Sequence, residues 1–307
     1  MGNSICEDAP VTKLLIIGRT GQLGSALIED ATVWGCQVYA PDRKELDISD
    51  RAAFTDAVES FRPDFVINTA AYHDLPACER EPAKAFEINC LAVNRMADIC
   101  RQNGAWFISF STDYVFDGAK KQPYLETDIP DPLQIYGISK LAGEYAAFSR
   151  APESSIIIRT CGLYGLKGSS SKGGNFVDNR ILDARRGSRI EISSDQTVSP
   201  TFAGDLSIAV MQLMMGQSRS PGIYHLVNQG YCTWYQFTAE IFRILDIKTE
   251  VIPVDRHGRS DDFRRPLFSA LDNRKAAGLG INLPNWKDAL RTYLTIKYLN
   301  TGPGAKA

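Results

Sequence analysis

Tyr136 and Lys140 stand at the two ends of the stretch YGISK, a spacing that lays both side chains on one face of a helix. A phenol has an ordinary pKa of about 10, and an ammonium beside it favours the phenolate by opposite charge. Such a tyrosine can protonate an alkoxide as hydride arrives at a carbonyl carbon, and is reprotonated afterwards from solvent. One loop earlier, the apolar run 106–110 stops in Ser111-Thr112-Asp113-Tyr114. A strand ending there sets hydroxyls and a carboxylate at one edge of a sheet, where Thr112 can orient a carbonyl. The implied catalytic set is Thr112, Tyr136 and Lys140, and the implied chemistry is carbonyl reduction. The same Tyr-Lys spacing recurs at Tyr293 and Lys297; that pair follows no hydroxyl-ending strand and reads as an ordinary helix face.

Hydride has to come from somewhere, and GRTGQLG supplies a seat for a dinucleotide: Gly18, Arg19, Thr20, Gly21, Gln22, Leu23 and Gly24 follow the first apolar run and open a helical one. Glycines there permit a tight turn, close backbone approach to a pyrophosphate and close helix–strand packing, while free N–H groups at the helix start face the anion. The next acidic candidates lie in YAPDRKELDISD. Asp42 could hold a ribose diol, and Arg19 or Arg43 could pair with a 2′-phosphate. NADPH and NADH both stay open, with the arginines favouring NADPH.

These residues need a frame. The runs 13–18, 36–40, 64–71, 106–112 and 155–165 are β-branched and almost continuously apolar, as strands covered on both faces are. Between them lie segments with apolar residues three and four apart, including one long helix from Pro82 to about Gly104. Repeated βα units of this length predict an α/β fold, a doubly wound, Rossmann-like parallel sheet. After about Gly165 the pattern changes: a Gly/Ser/Lys-rich loop, a helix, a short strand at RIEIS, the loop SDQTVSPT, a helix over 203–215 and a strand near IYHLVN. The expected organisation is a leader at 1–11, a cofactor domain at 12–165 to which parts of 203–228 return, a smaller mixed α/β substrate lobe over 166–300, and a flexible tail at 301–307.

Composition narrows the function classes. At 307 residues with 44% apolar and 23% charged side chains and a formal net charge of −2, the chain reads as an ordinary globular protein. Nothing favours a nucleic-acid or membrane partner. The seven cysteines are scattered without C-x-x-C spacing, so neither a metal site nor a disulfide framework is expected, and a cytoplasmic setting fits.

The blocks GRTGQLG, INTAA, FSTDYVFDG, YLETD, YGISKLAGE, SDQTVSPT, YHLVNQG, TWYQF and RRPLFSALD occur in this order over nearly the whole chain. Together they resemble the dTDP-4-dehydrorhamnose reductase family of the extended short-chain dehydrogenase/reductases. The resemblance implies reduction of the C4 keto group of a nucleotide-linked 6-deoxyhexulose in dTDP-rhamnose biosynthesis, with a nucleotide-sugar partner; a homodimer and the use of a divalent metal stay open. It places Asp47 and Ile48 against the adenine, Thr69, Ala70 and Ala71 near the cofactor's ribose, and Asn89 behind the lysine. Asp113 and Tyr114 would lie near the sugar, with Asn175, Phe176, Gln196 and Arg265 as nucleotide-sugar contacts. In sugar-nucleotide dehydratases that resemble this fold the block runs Thr-Asp-Glu; Tyr114 replaces that Glu, which removes the obvious acid/base partner for loss of water.

Two departures from the family pattern bear on the sugar. Pro76 stands where members carry an Asp, and Gly162 stands where they carry a Trp, removing a large wall. A reductase or epimerase of another sugar nucleotide is therefore an alternative. A second is a regulatory, NADP-binding subunit like that of methionine adenosyltransferase, which resembles the same family. His73 is read as lining a pocket or solvated, His225 as structural, and His257 carries no signal.

Overall fold

A computed structural model describes residues 11–167, 174–187, 189–255 and 263–300. Most of the leader, the core of the Gly/Ser/Lys-rich loop, His257 and the tail lie outside the described residues. Strands are β1 (Lys13–Ile17), β2 (Gln37–Tyr39), β3 (Phe65–Asn68), β4 (Trp106–Thr112), β5 (Ser155–Thr160), β6 (Leu163–Tyr164), β7 (Arg189–Ser193), β8 (Thr197–Val198), β9 (Thr201–Phe202), β10 (Gly222–His225), β11 (Cys232–Thr233) and β12 (Glu250–Val254). Helices are α1 (Gln22–Val33), α2 (Arg51–Phe61), α3 (Leu75–Arg80), α4 (Pro82–Phe86), α5 (Ala92–Gln102), α6 (Ile135–Arg150), α7 (Phe176–Arg186), α8 (Ala203–Met215), α9 (Trp234–Leu245), α10 (Arg274–Ala277) and α11 (Trp286–Leu294).

Alternation along the strands explains the continuous apolar runs. In β1, Leu14 and Ile16 face a core shared with Leu23 and Leu27 of α1 and Leu206 and Val210 of α8. Leu15 and Ile17 face the opposite core, with Phe54 of α2, Met96 of α5 and Ala147 of α6. A strand buried on both faces has no polar side to show. The six strands are parallel in the order β10-β5-β4-β3-β1-β2. The order reverses between β1 and β3, and at such a switch point a crevice opens beyond the strands' carboxyl ends.

Three local differences from expectation have physical causes. The fifth strand ends at Thr160, because Gly162 turns the chain in the left-handed region (φ 54) and hands Leu163–Tyr164 to a parallel pair with β9. SDQTVSPT is not all loop: it carries β8, which pairs antiparallel with β11, and runs into β9. The long helix expected over 82–104 contains a π-turn at Glu87–Leu91 between α4 and α5, a bulge that re-aims side chains. Outside the main sheet, α7, α9 and α11 close a separate aromatic-rich core around Tyr164, Phe202, Phe237 and Trp286.

Candidate active site

The glycine turn is held from behind. Gly18 has φ 90, and a Cβ there would lie 2.4 Å from Thr69 Oγ1; one on Gly24 would lie 2.2 Å from the Gly18 carbonyl. Thr69 Oγ1 donates to the Ile17 carbonyl at 2.7 Å, so Thr69 braces the turn from the end of β3. Helix α1 begins at Gly21 with no side-chain cap, which leaves its first N–H groups for a ligand. Leu23, expected beside the cofactor, points into the core at 5% exposure; only its backbone belongs to the turn. Gln22 Nε2 reaches the Leu163 carbonyl at 3.4 Å.

Beyond β2 the charges are already engaged. Asp42 Oδ1 accepts from the N–H groups of Lys44 (2.8 Å) and Glu45 (3.1 Å), which hold its carboxyl below the usual range. Its Oδ1 thus closes a turn just beyond β2. Arg19 donates to the Ala40 carbonyl at 3.1 Å and sits 3.5 Å from Glu45. Arg43 pairs with Asp47 at 3.5 Å, and Ile48 is buried. Glu45, unremarked in the sequence, belongs to this cluster; its position three residues after Asp42 was the available signal.

At the carboxyl end of β4, opposite Thr160 of β5, the expected catalytic groups meet. The Tyr136 phenol lies close enough to the Thr112 hydroxyl for that group to act on its proton affinity, and the Tyr114 and Tyr136 rings pack edge to face with centroids 6.3 Å apart. Helix α6 is aimed by its first turn. Gln134 Oε1 accepts from Gly137 N at 2.6 Å, Glu79 Oε1 accepts from Ile135 N at 2.8 Å, and a Cβ on Gly137 would lie 2.2 Å from the Tyr114 carbonyl. Burial, and then the Asp113 charge, raise the Tyr136 phenol above its usual range, against the Thr112 hydroxyl. The expected lowering by a lysine is not among these causes. The phenol is thus held in its proton-bearing form. Burial pulls Lys140 down to about 8, opposed by Glu144.

Asp113 is not free to touch a sugar. It is buried at 4% exposure and accepts from Ser269 Oγ at 2.5 Å, Thr112 Oγ1 at 3.0 Å and the Cys161 thiol. Burial raises its carboxyl despite these donors. Thr112 gives its one proton to Asp113, and its oxygen accepts from Tyr114 N at 3.2 Å. Ser269 and Cys161 were invisible as site residues in the sequence, since the fold brings them from distant segments.

Asn89 sits in the π-turn at 1% exposure. Its Oδ1 accepts from Tyr72 N at 2.9 Å, and its Nδ2 donates to Tyr72 O at 2.9 Å and Ser139 Oγ at 3.0 Å. It fastens the segment after β3, with Ala70 and Ala71, to α6. Asn89, Ser109, Ser111, Lys140 and Glu144 line a cavity of about 10 Å³, close to the space one water needs. His73 Nδ1 lies 3.3 Å from the Ala71 carbonyl. His225 is fully buried against the Tyr124 carbonyl at 3.0 Å.

The substrate-side expectations divide. Arg265 lies close enough to Tyr114 for its charge to act on the phenol. Phe176 stacks on Trp234 at 4.3 Å between centroids, and Gln196 is buried with its carbonyl accepting from Trp234 N. Asn175 is committed elsewhere: it caps α7 through Asp178 N (2.9 Å) and donates to Gly165 O (2.8 Å) and Tyr293 OH (2.9 Å). The position of the missing Trp is not open, since a Cβ on Gly162 would meet Trp234 Cη2 at 3.3 Å and Pro200 Cα at 3.2 Å. Nor are Tyr293 and Lys297 an ordinary helix face. Tyr293 is fully buried, and Tyr293 OH (2.6 Å), Lys297 Nζ (2.7 Å) and Tyr298 OH (2.6 Å) all converge on Asp178 of α7. The pair is a clamp between helices.

Comparison with known proteins shows the family. A family model described as the RmlD substrate binding domain matches residues 12–298. The chain is similar to the spore coat polysaccharide biosynthesis protein SpsK of Bacillus subtilis (strain 168), 37% identical over 92% of this chain and 97% of that one. It is 33% identical to the dTDP-4-dehydrorhamnose reductase of Aggregatibacter actinomycetemcomitans, over 92% of this chain and 98% of the relative. The crystal structure of dTDP-4-dehydrorhamnose reductase from Bacillus anthracis str. Ames in complex with NADP superposes with a TM-score of 0.87, at 31% identity over 94% of this chain and all (100%) of that one.

Proposed function

We propose a reaction from one premise: the chain belongs to the RmlD substrate binding domain family, among the dTDP-sugar 4-keto reductases. The reaction is the NADPH- or NADH-dependent reduction of the C4 keto group of a nucleotide-linked 4-keto-6-deoxyhexose. The observation that carries it is the packing of the Tyr136 ring edge to face on Tyr114, beside Thr112 at the carboxyl end of β4, at the sheet edge where the glycine turn also lies.

The glycine turn, packed too tightly on Thr69 and on itself to admit a Cβ at Gly18 or Gly24, and the uncapped start of α1 fit a dinucleotide pyrophosphate. Arg19 after β1 and Arg43 after β2 fit a 2′-phosphate. When bound, the nicotinamide supplies the hydride. The chain's own groups do the rest. Tyr136 holds the proton that the developing C4 alkoxide takes, and its phenol is kept neutral until then. Thr112 stands beside the phenol, and Lys140 lies one helical turn further along the same face. Tyr114, where dehydratases carry Glu, offers no second acid/base group, which supports simple reduction.

A second reading concerns the sugar. Gly162 packed against Trp234, with Pro76 in the first turn of α3, gives this chain a different wall from the family pattern. This supports a different 4-keto-deoxysugar or a different nucleotide. The test is a panel of 4-keto-6-deoxyhexose nucleotides with NADPH, products identified by mass spectrometry. Cofactor-dependent formation of a C4 alcohol from at least one member is expected. Cofactor binding without any turnover, with a catalytic partner co-purifying, would replace this reading by that of a regulatory subunit.

A further inference from the structure

Behind Lys140 the core contains a charged group that the reaction as described does not use. Glu144 lies one turn beyond Lys140 on the same face of α6 and is 2% exposed. Its Oε1 accepts from Ser111 Oγ at 2.5 Å and Arg159 Nε at 2.9 Å, and its Oε2 accepts from Arg159 Nη2 at 2.6 Å. Arg159 is itself 1% exposed and lies over the Phe116 ring. The carboxylate is therefore pinned from β4 and β5, on both oxygens, at a fixed distance from the Lys140 face. Lys140 and Glu144 line the same small cavity with Asn89, Ser109 and Ser111.

We propose that Glu144 is a positioning residue for Lys140: clamped by Arg159 and Ser111, its carboxylate is the fixed counter-charge across the cavity that both residues line, and it holds the lysine in place one turn beyond Tyr136 on α6. The proposal rests on the reductase reading above for its purpose, and on this geometry for its substance. The other groups packed around Lys140 do not take this part. From β4 come the neutral Ser109 and Ser111, and from the π-turn the neutral Asn89. Arg159 of β5 is of like charge and stands beyond Glu144. Asp113, after β4, is satisfied by Ser269, Thr112 and Cys161. On α6, Tyr136 is neutral, and Cys78 of α3 faces Tyr136. Burial favours the neutral amine at Lys140, and Glu144 opposes it. The carboxylate is thus the element whose loss would discharge the lysine near neutral pH.

The test is an NMR titration of isotope-labelled lysine in the full chain, with the Lys140 resonance assigned by Lys140→Arg. In Glu144→Gln the midpoint of Lys140 should fall by about one pH unit or more. Because this leaves Arg159 buried beside an amide, the double variant Glu144→Gln with Arg159→Met is measured as well and should show a fall of the same sign. Glu144→Asp, which keeps the charge, should stay near wild type. The alkaline limb of kcat/KM should move to lower pH with the midpoint. An unmoved midpoint in either folded variant, or an equal fall in Glu144→Asp, overturns the inference. Wild-type protein inactive on every keto-sugar would sink the proposed reaction instead, while the titration still reads the Glu144–Lys140 coupling directly.

Discussion

At the level of single residues, legibility depended on where each side chain finds its partners. Tyr136, Lys140 and Thr112 were readable because their chemistry lies in local spacing, four residues on one helix and the end of one strand. Asp113, Asp42 and Asn175 also take partners that no motif reveals: Ser269 and Cys161 for the first, a tight turn for the second, Tyr293 for the third. Arg19, which follows β1 and reaches the Ala40 carbonyl, and Arg43, which follows β2, give a cofactor prediction. Removing Arg19 and Arg43 together should weaken NADPH binding at least about tenfold, as expected for charge-assisted contacts to a phosphate, and leave NADH nearly unchanged. Fluorescence titration with each cofactor checks it, and equal losses for both would show that the arginines serve the fold rather than the 2′-phosphate.

At the level of elements, the βα alternation named the main sheet correctly, because strands buried on two faces cannot disguise their composition. The π-turn and the break after Thr160 were hidden, because both depend on what packs against them. A Cβ on Gly143 would lie 2.1 Å from the Asn89 carbonyl, so α6 and the π-turn touch through bare backbone. Gly143→Ala should therefore push α6 outward, costing about 1–3 kcal/mol by overpacking and more than tenfold in kcat through displacement of Tyr136 and Lys140. Denaturant unfolding and turnover measured on the same preparation check both effects. The β10 edge carries a pH prediction. Burial, then the Arg159 charge, push His225 down to about 3, while the unfolded chain takes a proton near the ordinary value of about 6.5. The unfolded state thus binds more protons between these values, so His225 stabilises the fold above pH about 6.5, and this is lost as pH falls toward 3 at about 1.4 kcal/mol per pH unit. His225→Gln should flatten that acid limb in urea unfolding curves; an unchanged slope would mean that other groups carry it.

At the level of the molecule, two cores meet around one sheet edge. The first is the doubly wound sheet, and the second is the aromatic cluster that α7, α9 and α11 close. Asp178 ties α7 to Tyr293, Lys297 and Tyr298 at the end of the chain's last described helical segment. Asp178→Ala leaves those part-buried donors without their shared acceptor and should cost about 1–3 kcal/mol, with thermal unfolding as the readout. The sequence-level reading of Tyr293 and Lys297 failed here because the spacing of a catalytic pair and of a helix clamp is the same. What separates them is whether the phenol faces a sheet edge or a neighbouring helix.

The most direct test of the whole arrangement is single-turnover oxidation of NADPH by the keto-sugar nucleotide that the panel identifies, comparing wild type with Tyr136→Phe. Loss of the one hydroxyl that meets Thr112 should slow the step about 10²–10⁴-fold, with cofactor affinity unchanged. Equal rates in the two proteins would contradict the assignment of the proton to Tyr136, and with it the reading of this sheet edge as a reductase site.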